Sequence, residues 1–191
     1  MTRATILVEG ASDRIALETI ASRQGRDLGA EGVAIVPMDG AHAIAGFLSR
    51  IAHAPETVIA GLCDVAEEDV FRRAVERAGL GRYSTRSEME QRGFYICVQD
   101  LEDELIRAAG TATVEDLLDG QGELATFRKF QKQPEWRGRP VDSQLRRFLS
   151  NSHRKGRYAR LIVEALDLDR FPRPLAGVLE YVASDSVRSK V

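Results

Sequence analysis

Four short apolar runs limit how this chain can fold: ATILV at 4–8, VAIVP at 33–37, VIAGLC at 58–63 and FYICV at 94–98. Each is close to continuously apolar instead of alternating. That is the pattern of strands covered on both faces, as in a parallel sheet. Helical periodicity fills the gaps, at about 13–24, 41–53 and 67–78. Ser12 is placed to cap the first of these helices, and Gly79 and Gly81 follow the third, where glycine accepts a left-handed stop. Strand and helix taking turns implies βαβ units, hence a sheet with helices on both sides. After 98 the strands stop, and the rest reads as helices at 101–109, 113–119, 123–130, 141–150, 157–166 and 174–183. The expected organisation is an α/β core over 1–110, a helical extension packed on it over 111–183, and a flexible tail over 184–191.

A chain of 191 residues is long enough to bury a substantial core. No run approaches the ~20 apolar residues of a membrane helix. The start has no signal-peptide layout of basic head, apolar middle and cleavage site. The expectation is a cytoplasmic protein with no membrane partner. Cys63 and Cys97 fall inside apolar strands, where buried free thiols are expected. With three scattered histidines and no CxxC, a structural zinc site is not expected. No GxxxxGK[ST] occurs, so no nucleotide cofactor is expected in this chain.

The net charge of −2 hides an asymmetry. Arg128, Lys129, Lys132, Arg137, Arg139, Arg146, Arg147, Arg154, Lys155 and Arg157 crowd one stretch, with Arg160 at its boundary and only Glu135 and Asp142 as acids. Such a tract fits a polyanion, because phosphate contacts come chiefly from Arg and Lys; an Arg-rich solvated helix face would read the same way. Trp136 and Tyr158 could stack on bases or simply pack.

The acids have their own arrangement. In an open α/β sheet, ligands gather at the carboxyl ends of the strands. Glu9 follows the first strand, with Asp13 about one helical turn on. Asp64 follows the third, with Glu67 and Glu68 just after. Asp100, Glu102 and Asp103 follow the fourth. Brought together, these carboxylates would repel one another and raise their own pKa values. A hard divalent cation removes that cost. Several have plainer roles open to them: Asp13 complementing a helix dipole, Glu67 and Glu68 solvated in a first turn, Glu102 to Glu104 as an acidic helix start. Glu9 and Asp64 fit such roles less well, since each ends an apolar strand abruptly. Asp39, in PMDGAH, reads as a cap for the helix after it.

Glu9 in LVEGASD and Asp64 in GLCDVAEE, within this α/β order, resemble the toprim (topoisomerase–primase) domain. The closer likeness is to the toprim domain of the overcoming-lysogenization-defect (OLD) family nucleases. In that family an ExxxD/E element, a DLE element and a C-terminal lysine make the site. Glu9 and Asp13 match the first, Asp100-Leu101-Glu102 the second, and Lys155 in SHRKGRYARLIVEAL the third. The resemblance implies a Rossmann-like, mainly parallel four-stranded sheet flanked by helices, with a helical C-terminal extension.

It further implies metal-dependent cleavage of DNA phosphodiesters with one or two Mg²⁺ or Mn²⁺ ions. The metal ligands would be Glu9, Asp13, Asp64, Asp100 and Glu102. The catalytic set would be Glu9, Asp64, Lys155 and Glu67, the last as general base or replacement ligand. One departure stands out: the family's DxD reads Asp64-Val65-Ala66 here, which puts a second metal in doubt. Those nucleases also carry an ATPase domain, so a separately encoded ATPase is a candidate partner. Two alternatives stay open: a catalytically reduced module that binds nucleic acid or such a partner, and a toprim ribonuclease or nucleotidyl transferase.

Overall fold

The computed structural model describes residues 2–40, 43–51 and 57–188. Its centre is a four-stranded, all-parallel sheet in the order β2-β1-β3-β4. The strands are β1 (Ala4–Val8), β2 (Val33–Pro37), β3 (Val58–Cys63) and β4 (Phe94–Ile96). The first three have the bounds expected from their apolar runs. β4 stops short of 98 because the Val98 N–H is captured by the Glu104 carboxylate at 2.7 Å, which turns the chain out of the ladder.

Every residue of β1 is buried, as its continuous apolar run requires. Ile6 pairs with Ile35 on one side and Ala60 on the other. Alternate residues feed two cores. Ala4, Ile6 and Val8 join the larger, with α1 (Ala11–Arg23) and α10 (Arg173–Arg188). Leu7 joins the smaller, with α2 (Ile44–Ile51) and α3 (Glu68–Arg77). The helix expected at 41–53 thus appears over its described part; residues 41, 42, 52 and 53 lie outside the described residues. Cys63 and Cys97 are free and buried, as expected.

α4 (Arg86–Glu90) was missed by apolar periodicity, being too short to show any. It had a different signal. Thr85 accepts from the Glu88 N–H while the Glu88 carboxylate reaches back to the Thr85 N–H, the reciprocal cap that T-x-x-E encodes. The helical segment then runs through α5 (Leu101–Ala109), α6 (Thr111–Gly120), α7 (Leu124–Gln131), α8 (Val141–Leu149) and α9 (Ser152–Ala165) before α10. α9 begins five residues earlier than the expected 157, because the Asn151 side chain accepts the His153 N–H and caps a polar first turn. α10 returns to the sheet, packing on β3 and β4, and continues past Ser184 to Arg188. Its far part is tied to the start of the chain by the Arg3 guanidinium, which donates to the Val182 carbonyl at 3.3 Å.

Two close approaches set the layers. At Gly156 on α9, a Cβ would sit 2.9 Å from Ile15 Cδ1 on α1, so the glycine lets the two helices pack tightly. At Gly61, in β3, a Cβ would meet Phe71 Cε1 at 3.0 Å, Phe94 Cδ1 at 3.1 Å and the Leu7 carbonyl at 3.4 Å. Overpacking such a site costs about 1–3 kcal/mol. Gly61→Val is therefore expected to lower the urea midpoint by a corresponding amount, measured by circular dichroism. An unchanged midpoint would show that β3 can shift to make room.

Candidate metal centre at the sheet switch point

Strand order reverses between β1 and β3: the chain crosses from β1 to β2 on one side and returns to β3 on the other. Such a switch point opens a crevice beyond the strand ends. Glu9 leaves β1 and Asp64 leaves β3 on its two sides. A pocket of about 460 Å³ lies there, lined among others by Glu9, Asp13, Asp64, Glu102, Ser152 and Lys155. The helices α1, α5 and α9 all begin at this pocket. Strand ends supply two of the acids, and helix starts supply Asp13, Glu102 and the lysine.

The local sequence explains each position. The N-cap of α1 is Gly10 instead of Ser12, and Asp13 performs the cap by accepting the Gly10 N–H at 3.0 Å. The helix-start role read for Asp13 is therefore real, and the same side chain also lines the pocket. After β2, the Gly40 N–H donates to the Glu9 carbonyl at 3.1 Å and the Met38 N–H to Val8 at 2.9 Å. The β2–α2 connection thereby braces the backbone that carries Glu9. Asp39 is exposed in this turn, with φ of 56°; residues 41 and 42, at the start of the helix it was expected to cap, lie outside the described residues.

Glu102 differs from its neighbours. Glu104 accepts from Val98 and pairs with Arg107, and Asp103 pairs with the same arginine. These two are the plain acidic helix start. Glu102, only 5% exposed, has both carboxylate oxygens buried without a hydrogen bond, and Glu9 Oε2 is in the same condition. The nearest relief for Glu102 is Lys155, whose Nζ lies 3.5 Å from Oε1. That distance is an ion pair and too long for a good hydrogen bond.

The electrostatics show that the acids share one field. Burial pushes the Asp64 carboxyl up from 3.8 to about 8, aided by Glu9, Asp13, Asp100 and Glu102. Asp13 rises from 3.8 to about 6, again mainly by burial, with Glu9 and Glu102 adding to it against the Gly10 N–H. Glu9 is raised by burial and by Glu67, and Glu102 by burial against the pull of Lys155. Burial works against the Lys155 ammonium, but Glu102, Asp13 and Asp64 more than offset it and raise its pKa.

Three orphaned carboxylate oxygens at a switch point fit a hard divalent cation. Among the described residues, no three acid, histidine or thiol groups stand close enough together to hold a metal ion between them. The acids stand around the pocket, the arrangement for an ion held by one or two carboxylates with water and substrate oxygens completing its shell. Asp100, expected as a ligand, is already engaged: one oxygen caps α5 by accepting the Asp103 N–H at 2.9 Å, and the other takes Arg146 Nε at 2.7 Å. Glu67 stands at the rim, close enough for its charge to be felt at Glu9. Glu68 is held by Arg86 at 2.6 Å, which leaves Glu67 as the acid free to stand in for the one missing at Ala66.

The basic tract divides in a way the sequence did not show. Arg128 pairs with Glu115 at 2.6 Å, Arg146 with Asp100, Arg154 with Glu123, and Arg157 with Glu123 at 3.3 Å. These arginines staple the helical segment together. Lys129, Lys132, Arg137 and Arg147 are exposed and pair with no acid among the described residues; Arg139 donates to the Glu135 carbonyl at 2.7 Å. Tyr158 is 1% exposed and cannot stack on a base without unpacking the core.

The first 64 residues match the family model of the overcoming lysogenization defect protein-like TOPRIM domain. The resemblance read from the motifs holds over the stretch carrying Glu9, Asp13 and Asp64. The fold is shared across the whole chain with solved C-terminal regions of OLD proteins. That of Xanthomonas campestris pv. campestris superposes with a TM-score of 0.72 at 16% identity, covering 100% of this chain and 99% of the other. That of Burkholderia pseudomallei gives 0.65 at 19% identity, covering 97% and 98%. No protein of curated function matches the sequence.

The raised carboxyls make a stability prediction. Folded, Asp64 keeps its proton up to about pH 8, whereas unfolded it loses it near 3.8. Its contribution is therefore full below about pH 4 and lost as pH rises toward 8. In EDTA, Asp64→Asn is expected to melt higher than the native chain at pH 8 and to close that gap by pH 4.5. A gap independent of pH would mean that Asp64 is not buried among like charges.

Proposed function

We propose that this chain is a divalent-metal-dependent nuclease module of the OLD toprim type, hydrolysing or nicking DNA. The observation that carries the reading is the trio of buried oxygens on Glu9 and Glu102 that make no hydrogen bond, with Lys155 as an ion-pair partner of Glu102 in the same crevice. A structural role would have given those oxygens donors, because an unsatisfied buried carboxylate is costly.

In this reading one or two of Glu9, Asp64 and Glu102 hold the metal, with water and substrate oxygens completing its shell, and Asp13 supports them while capping α1. Asp100 acts from outside, fixing the start of α5 and hence the Glu102 backbone. Bound there, Mg²⁺ or Mn²⁺ would lower the pKa of a coordinated water and polarise the phosphate. Lys155, held charged by its acidic neighbours, is long enough to exchange the Glu102 carboxylate for a phosphate oxygen. There it would offset the charge that grows on the scissile group. Glu67, at the rim, is placed to accept the proton of the attacking water. Nucleic acid would approach over the unpaired cations of the helical segment.

A second reading has its own support. Ala66 occupies the place of the second acid, and Glu68 is tied to Arg86. A module with this ligand set could bind DNA without cutting it.

Supercoiled plasmid separates the two. The nuclease reading expects nicking with Mn²⁺ or Mg²⁺, none in EDTA, and none by Glu9→Gln. Lys155→Ala is expected to slow the cut by about 10²–10³-fold, the usual cost of one transition-state donor. Cutting by Glu9→Gln at the native rate would sink the assignment. DNA retention without hydrolysis in any metal would establish the second reading.

A further inference from the structure

Beside the acidic pocket lies a second cleft, of about 440 Å³, between α7, the α7–α8 connection and the start of α9. Its aromatic wall is Phe130, Trp136 and Phe148; Lys129, Arg147 and Asn151 stand around it. Phe130 and Trp136 stack at 5.1 Å with 30° between their planes, and Phe130 meets Phe148 at 5.6 Å. The platform is therefore stiff. Phe148 is already covered by the Arg154 guanidinium at 4.1 Å, whose charge Glu123 neutralises. The Trp136 ring also meets the exposed Arg139, 5.0 Å from its centre, which lines the adjoining pocket with Asp100 and Arg146 and not this cleft.

Three features say what fits. The volume admits one flat heterocycle with its sugar. The aromatic surface is matched by amide and hydroxyl groups, Asn151, Gln133 and Thr126, that can reach a base edge. Lys129 and Arg147 are exposed and have no acidic partner among the described residues, leaving their charge for a phosphate. The cleft and the acidic pocket also lie on either side of one helix start. Asn151 and Arg154 line the one and Ser152 and Lys155 the other, so the first turn of α9 is the ridge between them.

Resting on the nuclease reading, we propose that this cleft receives an unpaired base of the DNA strand whose phosphodiester enters the acidic pocket, so that the module engages single-stranded or flapped DNA. A base inside a duplex cannot present its face to Trp136 without leaving the stack.

Trp136 is the one tryptophan of the chain, which makes binding directly visible. The intact chain, in Ca²⁺ to avoid turnover, is titrated with a twelve-nucleotide oligothymidine, with an abasic strand of equal length and with a blunt duplex. Saturable quenching of indole fluorescence is expected with oligothymidine and not with the other two. Quenching by the abasic strand would reduce the cleft to a phosphate site, and equal quenching by duplex would remove the single-strand preference; either overturns the proposal. In anisotropy with labelled oligothymidine, Trp136→Ala is expected to weaken binding about tenfold or more. Lys129→Glu, on the surface, should weaken it with an unchanged melting temperature. Native affinity in Lys129→Glu overturns the proposal even if Trp136→Ala misfolds. Plasmid nicking without oligothymidine quenching would overturn this cleft and leave the nuclease reading standing, whereas quenching without nicking would do the reverse.

Discussion

The drawing of several carboxylates out of water at one crevice is the constraint around which this fold is arranged. Glu9, Asp13, Asp64 and Glu102 meet beyond the ends of β1 and β3, and burial raises the pKa of each. Several devices hold them there. The starts of α1, α5 and α9 point their positive ends at the pocket, the Gly10 N–H steadies Asp13, and Lys155 stands opposite Glu102. None of these satisfies the remaining oxygens of Glu9 and Glu102. The fold supplies positive character beside the acids and leaves these oxygens without a hydrogen bond.

Much of the architecture was legible in the sequence because burial on both faces leaves a direct trace. The runs at 4–8, 33–37 and 58–63 became strands with those bounds. The helices were placed from apolar periodicity, and the errors follow from its blind spots. The start of α9 is polar, so its first residues showed no stripe, and the informative residue was the capping Asn151. Ser12 had the right chemistry for a cap but lay inside the helix, since Asp13 already served Gly10.

The site was legible as a set of positions and not as a set of roles. Sequence order placed Glu9, Asp64, Glu102 and Lys155 correctly enough that they share a pocket. It could not say that Asp100 was spoken for by a cap and an arginine from α8. Those partners lie about one turn and more than forty residues away, and only packing reveals the second. The basic tract shows the same limit. Arg128, Arg146, Arg154 and Arg157 look identical to Lys129 and Arg147 in sequence, yet the first four find carboxylates and the others do not.

The contact between Arg3 and the Val182 carbonyl fastens α10 to the sheet at a distance from the acids. Arg3 precedes β1 and Glu9 follows it, so the length of the strand, roughly 17 Å, separates that contact from the crevice. Arg3 and Val182 therefore meet at the end of β1 opposite the candidate site. A change at that hydrogen bond would act on the hold between β1 and α10 from a full strand length away, leaving the backbone of Glu9 braced by its own bonds to the β2–α2 turn.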